Sequence, residues 1–300
     1  MTTSVNGYYG MVERLKGGLP WYVKIGAKLC LSRLPIPYSI WRQVGLYRHG
    51  YMDMPRLALK EIRAIIEQAG YGSRLDGLSV LELGPGDSLS TALIAHALGA
   101  RETVLLDTGT FAVREVQPYM GLVDLLAHQN DAMSALKRVR DTDALLQATG
   151  ARYLTEGLTS LQSLPAGSID FAFSKAVLEH IRLAEFRPMM RALREKLAPG
   201  GRCYHFVDLQ DHLDHALNNL RFSDKVWESD WMAKSGFYTN RIGCSEMLAA
   251  FEDAGFAVQE LNISKFEQMP TPRARMAKRF EARSEQDLLV SGFSVLLRPA

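Results

Sequence analysis

The sequence predicts an α/β fold: an open, mostly parallel sheet with helices on both faces, preceded by a helical N-terminal extension. Three observations carry this prediction. From Leu78 onward, strand patterns alternate with helix patterns, which implies βαβ units. The run Val80-Leu81-Glu82-Leu83-Gly84-Pro85-Gly86-Asp87-Ser88 is an apolar strand that breaks into a glycine turn, with a helix pattern straight after it. Strand, tight turn and helix N-terminus form a ligand-binding corner of such a sheet. Residues 1–74, by contrast, show no strand alternation.

Taken in order, residues 20–34 mix Trp21, Tyr22, Val23, Ile25, Leu29 and Leu31 with Lys24, Lys28 and Arg33. This pattern suits a lid or docking helix on the main domain; peripheral contact with a membrane surface is the alternative. Pro35 and Pro37 break the segment, and Arg56 to Gly70 reads as an amphipathic helix with Leu57, Leu59, Ile62, Ile65 and Ile66 on its apolar side. The extension, 1–74, has too little apolar material for a core of its own. The main domain is expected over 75–300. Its strand candidates are 78–83, 102–107, 152–155, 168–174, 202–207, 256–263 and 291–297. Helix patterns fall at 88–98, 112–127, 132–148, 182–197 and 245–254, with stops at Gly99, Gly150 and Pro199-Gly200-Gly201. The last two strands lack a normal crossover helix between them, which fits an antiparallel pair. Two long excursions, about 115–150 and 208–243, follow strand ends, where such excursions build sites rather than scaffold.

Composition sets the outer limits. The 300 residues are 47% hydrophobic and 23% charged, ordinary for a soluble globular chain with a real core. A net charge of +2 is too small to argue for nucleic acid or a membrane. Cys30, Cys203 and Cys244 are widely spaced, so a reduced, cytoplasmic protein without a cysteine metal site is expected. No stretch approaches the roughly 20 apolar residues of a membrane span, and Met1 to Gly18 lacks a secretory core.

The ligand at the glycine corner can be narrowed. A dinucleotide site wants a third glycine three positions after Gly86, where this chain has Leu89. Asp107 ends the second strand about 20 residues on, where a carboxylate accepts both hydroxyls of a ribose. The corner therefore reads as a nucleoside site without a strong phosphate requirement. Asp87 and Ser88 serve either that ligand or only as N-caps of the next helix.

Four segments then resemble, in order, the motifs of class I S-adenosylmethionine-dependent methyltransferases. VLELGPGDS at 80–88 resembles the first motif and VLLD at 104–107 the second. IDFAFSKAVLEHI at 169–181 resembles the fourth strand and its following turn, and LAPGGRCYHF at 197–206 the paired glycines and fifth strand. The resemblance implies a Rossmann-like, seven-stranded sheet with S-adenosylmethionine over the carboxyl ends of the first, second and fourth strands. It implies Gly84, Gly86 and Asp107 as cofactor residues, Glu82 near the methionine end and Glu156 near the adenine. Asp87 and Ser174, within the matched motifs, complete the cofactor set.

For the acceptor, an alcohol needs a general base within about 3 Å of its proton. His180 follows the fourth strand and is one candidate; capping the next helix is its plainer role. HFVDLQDHLDH at 205–215 is the second cluster. A helix beginning near Asp208 places Asp208, His212 and His215 on one face, able to supply a base or hold a divalent ion. Solvated charges with Asp208 as a cap are the alternative, and no metal is assigned. The catalytic candidates are His180, His212 and Asp208. Trp227, Trp231, Phe237, Tyr238, Asn240 and Arg241 suit a polar ring or pack the excursion onto the sheet. The fourth strand ends in Ser174-Lys175-Ala176-Val177, without the Asn/Asp-Pro-Pro-aromatic turn used on nucleic-acid amines, and the basic run Arg273, Arg275, Lys278, Arg279 reads as a solvated face. Residues 200–245 also look like methyltransferases of bacterial cell-surface polysaccharide pathways, which ranks a glycan hydroxyl first and another small polar acceptor second. Two further readings stand beside this one. One is a non-catalytic cofactor-binding protein of the same fold. The other is a nicotinamide oxidoreductase, disfavoured by Leu89 and by the absence of a Tyr-x-x-x-Lys pair.

Overall fold

The computed structural model describes residues 22–23, 25–26, 54–128 and 130–300. Within them a seven-stranded sheet runs in the order β3-β2-β1-β4-β5-β7-β6. The strands are β1 (Ser79–Leu83), β2 (Glu102–Leu106), β3 (Ala151–Leu154), β4 (Ile169–Lys175), β5 (Leu197–Asp208), β6 (Phe256–Lys265) and β7 (Val290–Pro299). All seven expected strands are present. β1 pairs in parallel with β2 and β4, β2 with β3 and β4 with β5, whereas β7 lies antiparallel between β5 and β6. The chain leaves β1 toward β3 and returns to β4 on the other side. That reversal opens a crevice outside the carboxyl ends of β1 and β4.

Two layers of helix cover the sheet, because side chains alternate across each strand. Val80, Leu105, Phe171, Phe173 and Tyr204 face a core shared with α1 (Pro55–Gln68), α2 (Ser90–Ala97), α3 (Gln117–Ala127) and α4 (Thr142–Ala148). Leu81, Leu83, Val104, Ala172 and Cys203 face the opposite core, against α5 (Leu158–Ser163), α6 (Leu183–Lys196) and, beyond two short helices, α9 (Cys244–Asp253). Those short helices are α7 (Asp224–Trp227) and α8 (Asp230–Ala233); α10 (Glu285–Leu288) precedes β7.

Helix α1 buries Ala58, Leu59, Ile62, Ile65 and Ile66, with Leu57 only half-buried at the edge of that stripe. It is tied to the sheet along its length: Glu61 pairs with Lys175 at the end of β4, Gln68 accepts the Tyr204 hydroxyl, and Arg202 donates to the Ala69 carbonyl at 2.7 Å. Helix α1 thus runs antiparallel to β4 and β5, and its N-terminal half lies toward the crevice. Of residues 20–34, only 22, 23, 25 and 26 are described; the rest of that segment lies outside the described residues, as do 35–53. Ile25 is buried against Leu213, Trp227, Met232, Phe237 and Tyr238.

Several local expectations need correction. The pattern at 132–148 is not one helix: Asp131–Arg138 forms 3-10 turns, and α4 follows, capped by the Asp141 carboxylate. Helix α5 is not visible in the sequence pattern because it has only six residues and follows an N-cap, Gly157, whose φ of 52° no periodicity reveals. The helix expected near Asp208 does not form. β5 continues to Asp208, and tight turns follow, with Asp211 accepting the backbone N–H groups of Leu213, Asp214 and Asn218. Asp208, His212 and His215 therefore share no helical face, and His215 is exposed. The basic run 273–279 is two 3-10 turns rather than a helix face, with Arg279 paired to Asp224 at 2.8 Å.

No helix among the described residues is long and apolar enough to cross a membrane.

Candidate functional site

The glycine corner and the end of β2 meet as the sequence pattern requires. Gly84 has φ of 70°, and a Cβ there would stand 2.4 Å from Cγ2 of Val177, so only glycine fits between β1 and the turn after β4. Gly86, at φ 63°, donates its N–H to Asp107 Oδ2 at 3.1 Å, while Thr108 N–H donates to Oδ1 at 2.7 Å. These bonds aim the Asp107 carboxylate along the corner. Gly157 N–H reaches the Asp107 carbonyl at 2.9 Å, which brings the turn carrying exposed Glu156 beside the same strand end.

Leu89 is fully buried in the core, and its N–H donates to the Tyr119 hydroxyl at 3.2 Å. It is the N-cap residue of α2, so neither Asp87 nor Ser88 is. Asp87 is buried and its carbonyl accepts from Val113 N–H at 3.0 Å. Glu82 lies beneath the corner. Its Oε2 is buried without a hydrogen-bond partner, and burial raises its carboxyl to about 8, against a hydrogen bond from Thr91 and with Asp107 adding to the rise. Ser174 does not face the corner: its hydroxyl is buried against His205 Nδ1 at 2.8 Å. His205 itself is fully buried, and desolvation lowers its pKa to about 3, so it is neutral and leaves the candidate cluster.

The turn after β4 carries the second half of the site. Ala176 takes a left-handed φ of 53°, Val177 lies on Gly84, and a 3-10 turn Leu178–His180 follows. Three residues of chain span at most about 11 Å, so His180 lies within that distance of the valine that touches the corner. Asn240 straps this turn: its amide donates to the carbonyls of Leu178 (2.8 Å) and Ile181 (3.0 Å), and its N–H to the Glu179 carbonyl (2.7 Å).

His180 Nδ1 lies 2.7 Å from the Tyr238 carbonyl. A carbonyl only accepts, so Nδ1 carries the hydrogen and Nε2 bears the lone pair of the neutral ring. The His212 ring stacks on it, centroids 4.9 Å apart and 20° from parallel. Glu179 Oε1 accepts the Asp208 N–H at 3.3 Å, its Oε2 is buried without a hydrogen-bond partner, and burial raises the carboxyl to about 8. Burial also raises half-buried Asp208, opposed by its bond from Gln210 N–H and by His215 and His180 nearby. The structure therefore gathers His180, His212 and Asp208 by loop geometry and adds Glu179, to which the sequence reading gave no role. A cavity of about 20 Å³ behind Glu179 and Asp208 has room for about one water and none for a substrate.

The aromatic excursion mostly packs. Trp227, Phe237 and Tyr238 are buried together, and Arg241 is enclosed with Asp224 (2.7 Å) and Glu228 (3.4 Å). Trp231 is the exception, 44% exposed beside Asp230, whose carboxylate pairs with Arg182 at 2.8 Å, two residues beyond His180.

Residues 122–205 match the family model described as a methyltransferase domain; the stretch runs from α3 through β5. The chain carries a methyltransferase domain in that stretch. S-adenosylmethionine is the methyl donor of such a domain. No curated protein matches the chain. Among solved structures it is similar to the geranyl diphosphate C-methyltransferase from Streptomyces coelicolor A3(2), at 12% identity over 82% of this chain and 80% of that one, TM-score 0.47. It is also similar to an S-adenosylmethionine-dependent methyltransferase from Methanosarcina mazei, at 15% identity over 76% and 94%, TM-score 0.45. A third, from Mesorhizobium loti, has 19% identity over 83% and 98%, TM-score 0.43.

Proposed function

We propose that this methyltransferase domain transfers a methyl group from S-adenosylmethionine to a hydroxyl of a saccharide or other small polar acceptor. The observation that carries it is the linkage of two halves through Val177: an Asp107-braced glycine corner on one side, and the His180–His212–Asp208 cluster on the other. The chain's residues fit the donor. Asp107 is aimed to accept the two ribose hydroxyls. Gly84 and Gly86 let the backbone be approached closely, with Asp87 below them and Glu156 at the adenine side. Ser174 serves through its backbone at the end of β4, since its hydroxyl is taken. Glu82 Oε2, buried and unmatched, is the partner an ammonium group needs. When bound, S-adenosylmethionine supplies an electrophilic methyl group on a sulfonium.

In-line transfer asks the protein chiefly for position. An alcohol asks also for a place to put its proton, and the cluster provides it: His180 and His212 line the acceptor side, and the Asp208 carboxylate close by takes the proton. The exposed face of Trp231 fits a sugar ring beside this cluster. Labelled methyl transfer onto mono- and oligosaccharides tests the reading. His180→Ala is expected to lower kcat by a factor of about 100 or more with little change in cofactor affinity. Transfer only to amine or carbon acceptors, or full activity in His180→Ala, contradicts it.

A further inference from the structure

We propose that Glu179, His180 and His212 form a binding site for a divalent transition-metal ion, with coordination positions left open toward the crevice. One carboxylate oxygen of Glu179 and one nitrogen from each histidine lie within 4.8 Å of one another. Two imidazoles and a carboxylate are the donor set of zinc and of related borderline ions such as manganese, iron and cobalt. Bonds of about 2.0–2.2 Å put tetrahedral ligand atoms roughly 3.3 Å apart. The set must therefore close by up to about 1.5 Å, with the two rings turning out of their stack, which exposed His180 and half-buried His212 can do.

Independent features point the same way. Glu179 is 1% exposed, yet its Oε2 has no hydrogen-bond partner, and an unmatched buried oxygen is unfavourable. The Nδ1–H of His180 is spent on the Tyr238 carbonyl, the outer bond that fixes a ligating imidazole and turns Nε2 outward. The scaffold is built from three chain segments: Asn240 clamps the 178–181 turn, and Asp211 ties the loop that carries His212.

The role of the ion rests on the proposed hydroxyl methylation. The ion draws the acceptor oxygen into an open position and acidifies it. The hydroxyl proton goes to the Asp208 carboxylate, the oxygen forms a bond to the methyl carbon, and the sulfur–methyl bond breaks with its electron pair left on sulfur. The two imidazoles then act as ligands, and Asp208 is the proton acceptor.

Binding is tested apart from activity. Full-length protein is stripped with EDTA, dialysed, and titrated with Zn²⁺ by calorimetry and with Co²⁺ by visible absorption. One equivalent is expected, with d–d bands for cobalt. Glu179→Gln and His212→Ala are each expected to weaken binding at least about tenfold, with melting checked in metal-free buffer. If His212→Ala does not fold, His212→Gln takes its place. No binding, or binding that the folded variants leave unchanged, overturns the site. Methyl transfer that persists in EDTA overturns its role while leaving the methyltransferase reading intact. Failure of transfer with metal bound and retained points instead at the acceptor assignment.

Discussion

At the scale of single residues, the site is defined by carboxylates whose surroundings differ. Asp107 is braced by two backbone N–H groups, so its charge is stabilised and its direction fixed. Glu82 has one side-chain bond and an unmatched oxygen, and burial raises it to about 8 from an ordinary 4.5. The folded state thus holds the Glu82 proton more tightly than the unfolded state does. Below about pH 4.5 both states are protonated and the group is neutral to stability. Between 4.5 and 8 the unfolded state sheds the proton first, so stability falls as pH rises; above 8 the loss is complete. Glu82→Gln keeps the shape and removes this titration. Its stability relative to the parent should climb between pH 5 and 8, by up to about 1 kcal/mol per pH unit. Parallel pH profiles from urea denaturation of the two proteins would rule this out. Residue identities at the corner were legible in the sequence because glycines and a strand-end aspartate are spaced by the backbone itself. The unmatched oxygen was not, since it depends on what α2 and β2 leave unfilled.

At the scale of elements, the strands were legible because buried parallel strands are apolar runs between turn signals. The helix expected at Asp208 failed for an instructive reason: aspartates and histidines at helical spacing also suit tight turns, in which Asp211 bonds three backbone N–H groups. Those turns still deliver His212 to His180, a meeting of residues 32 apart that periodicity cannot show. Helix α1 was legible from its apolar stripe, and its buried face joins it to the core of β1 and β4 rather than to a separate unit. Ile66→Ala should therefore destabilise the whole protein by about 2–4 kcal/mol within one cooperative transition. A separate early transition, or a loss confined to α1 by hydrogen exchange, would show that α1 is only loosely attached.

At the scale of the whole molecule, the sheet reversal between β1 and β4 makes one crevice, and both halves of the site line it. The glycine corner, Asp107 and the turn after β4 were readable as ordered motifs. The partners that hold the turn, Tyr238 and Asn240, come from a distant loop and were invisible until the chain folded. Leu89, buried where a dinucleotide site keeps glycine, weighs against a nicotinamide site here. The most direct measurement of that claim is calorimetric binding of S-adenosylhomocysteine and NAD to the parent protein and to Asp107→Ala. One equivalent of S-adenosylhomocysteine should bind, at least about tenfold more weakly in Asp107→Ala, with no binding of NAD. Binding of NAD alone, or S-adenosylhomocysteine affinity unchanged by the substitution, would contradict the account.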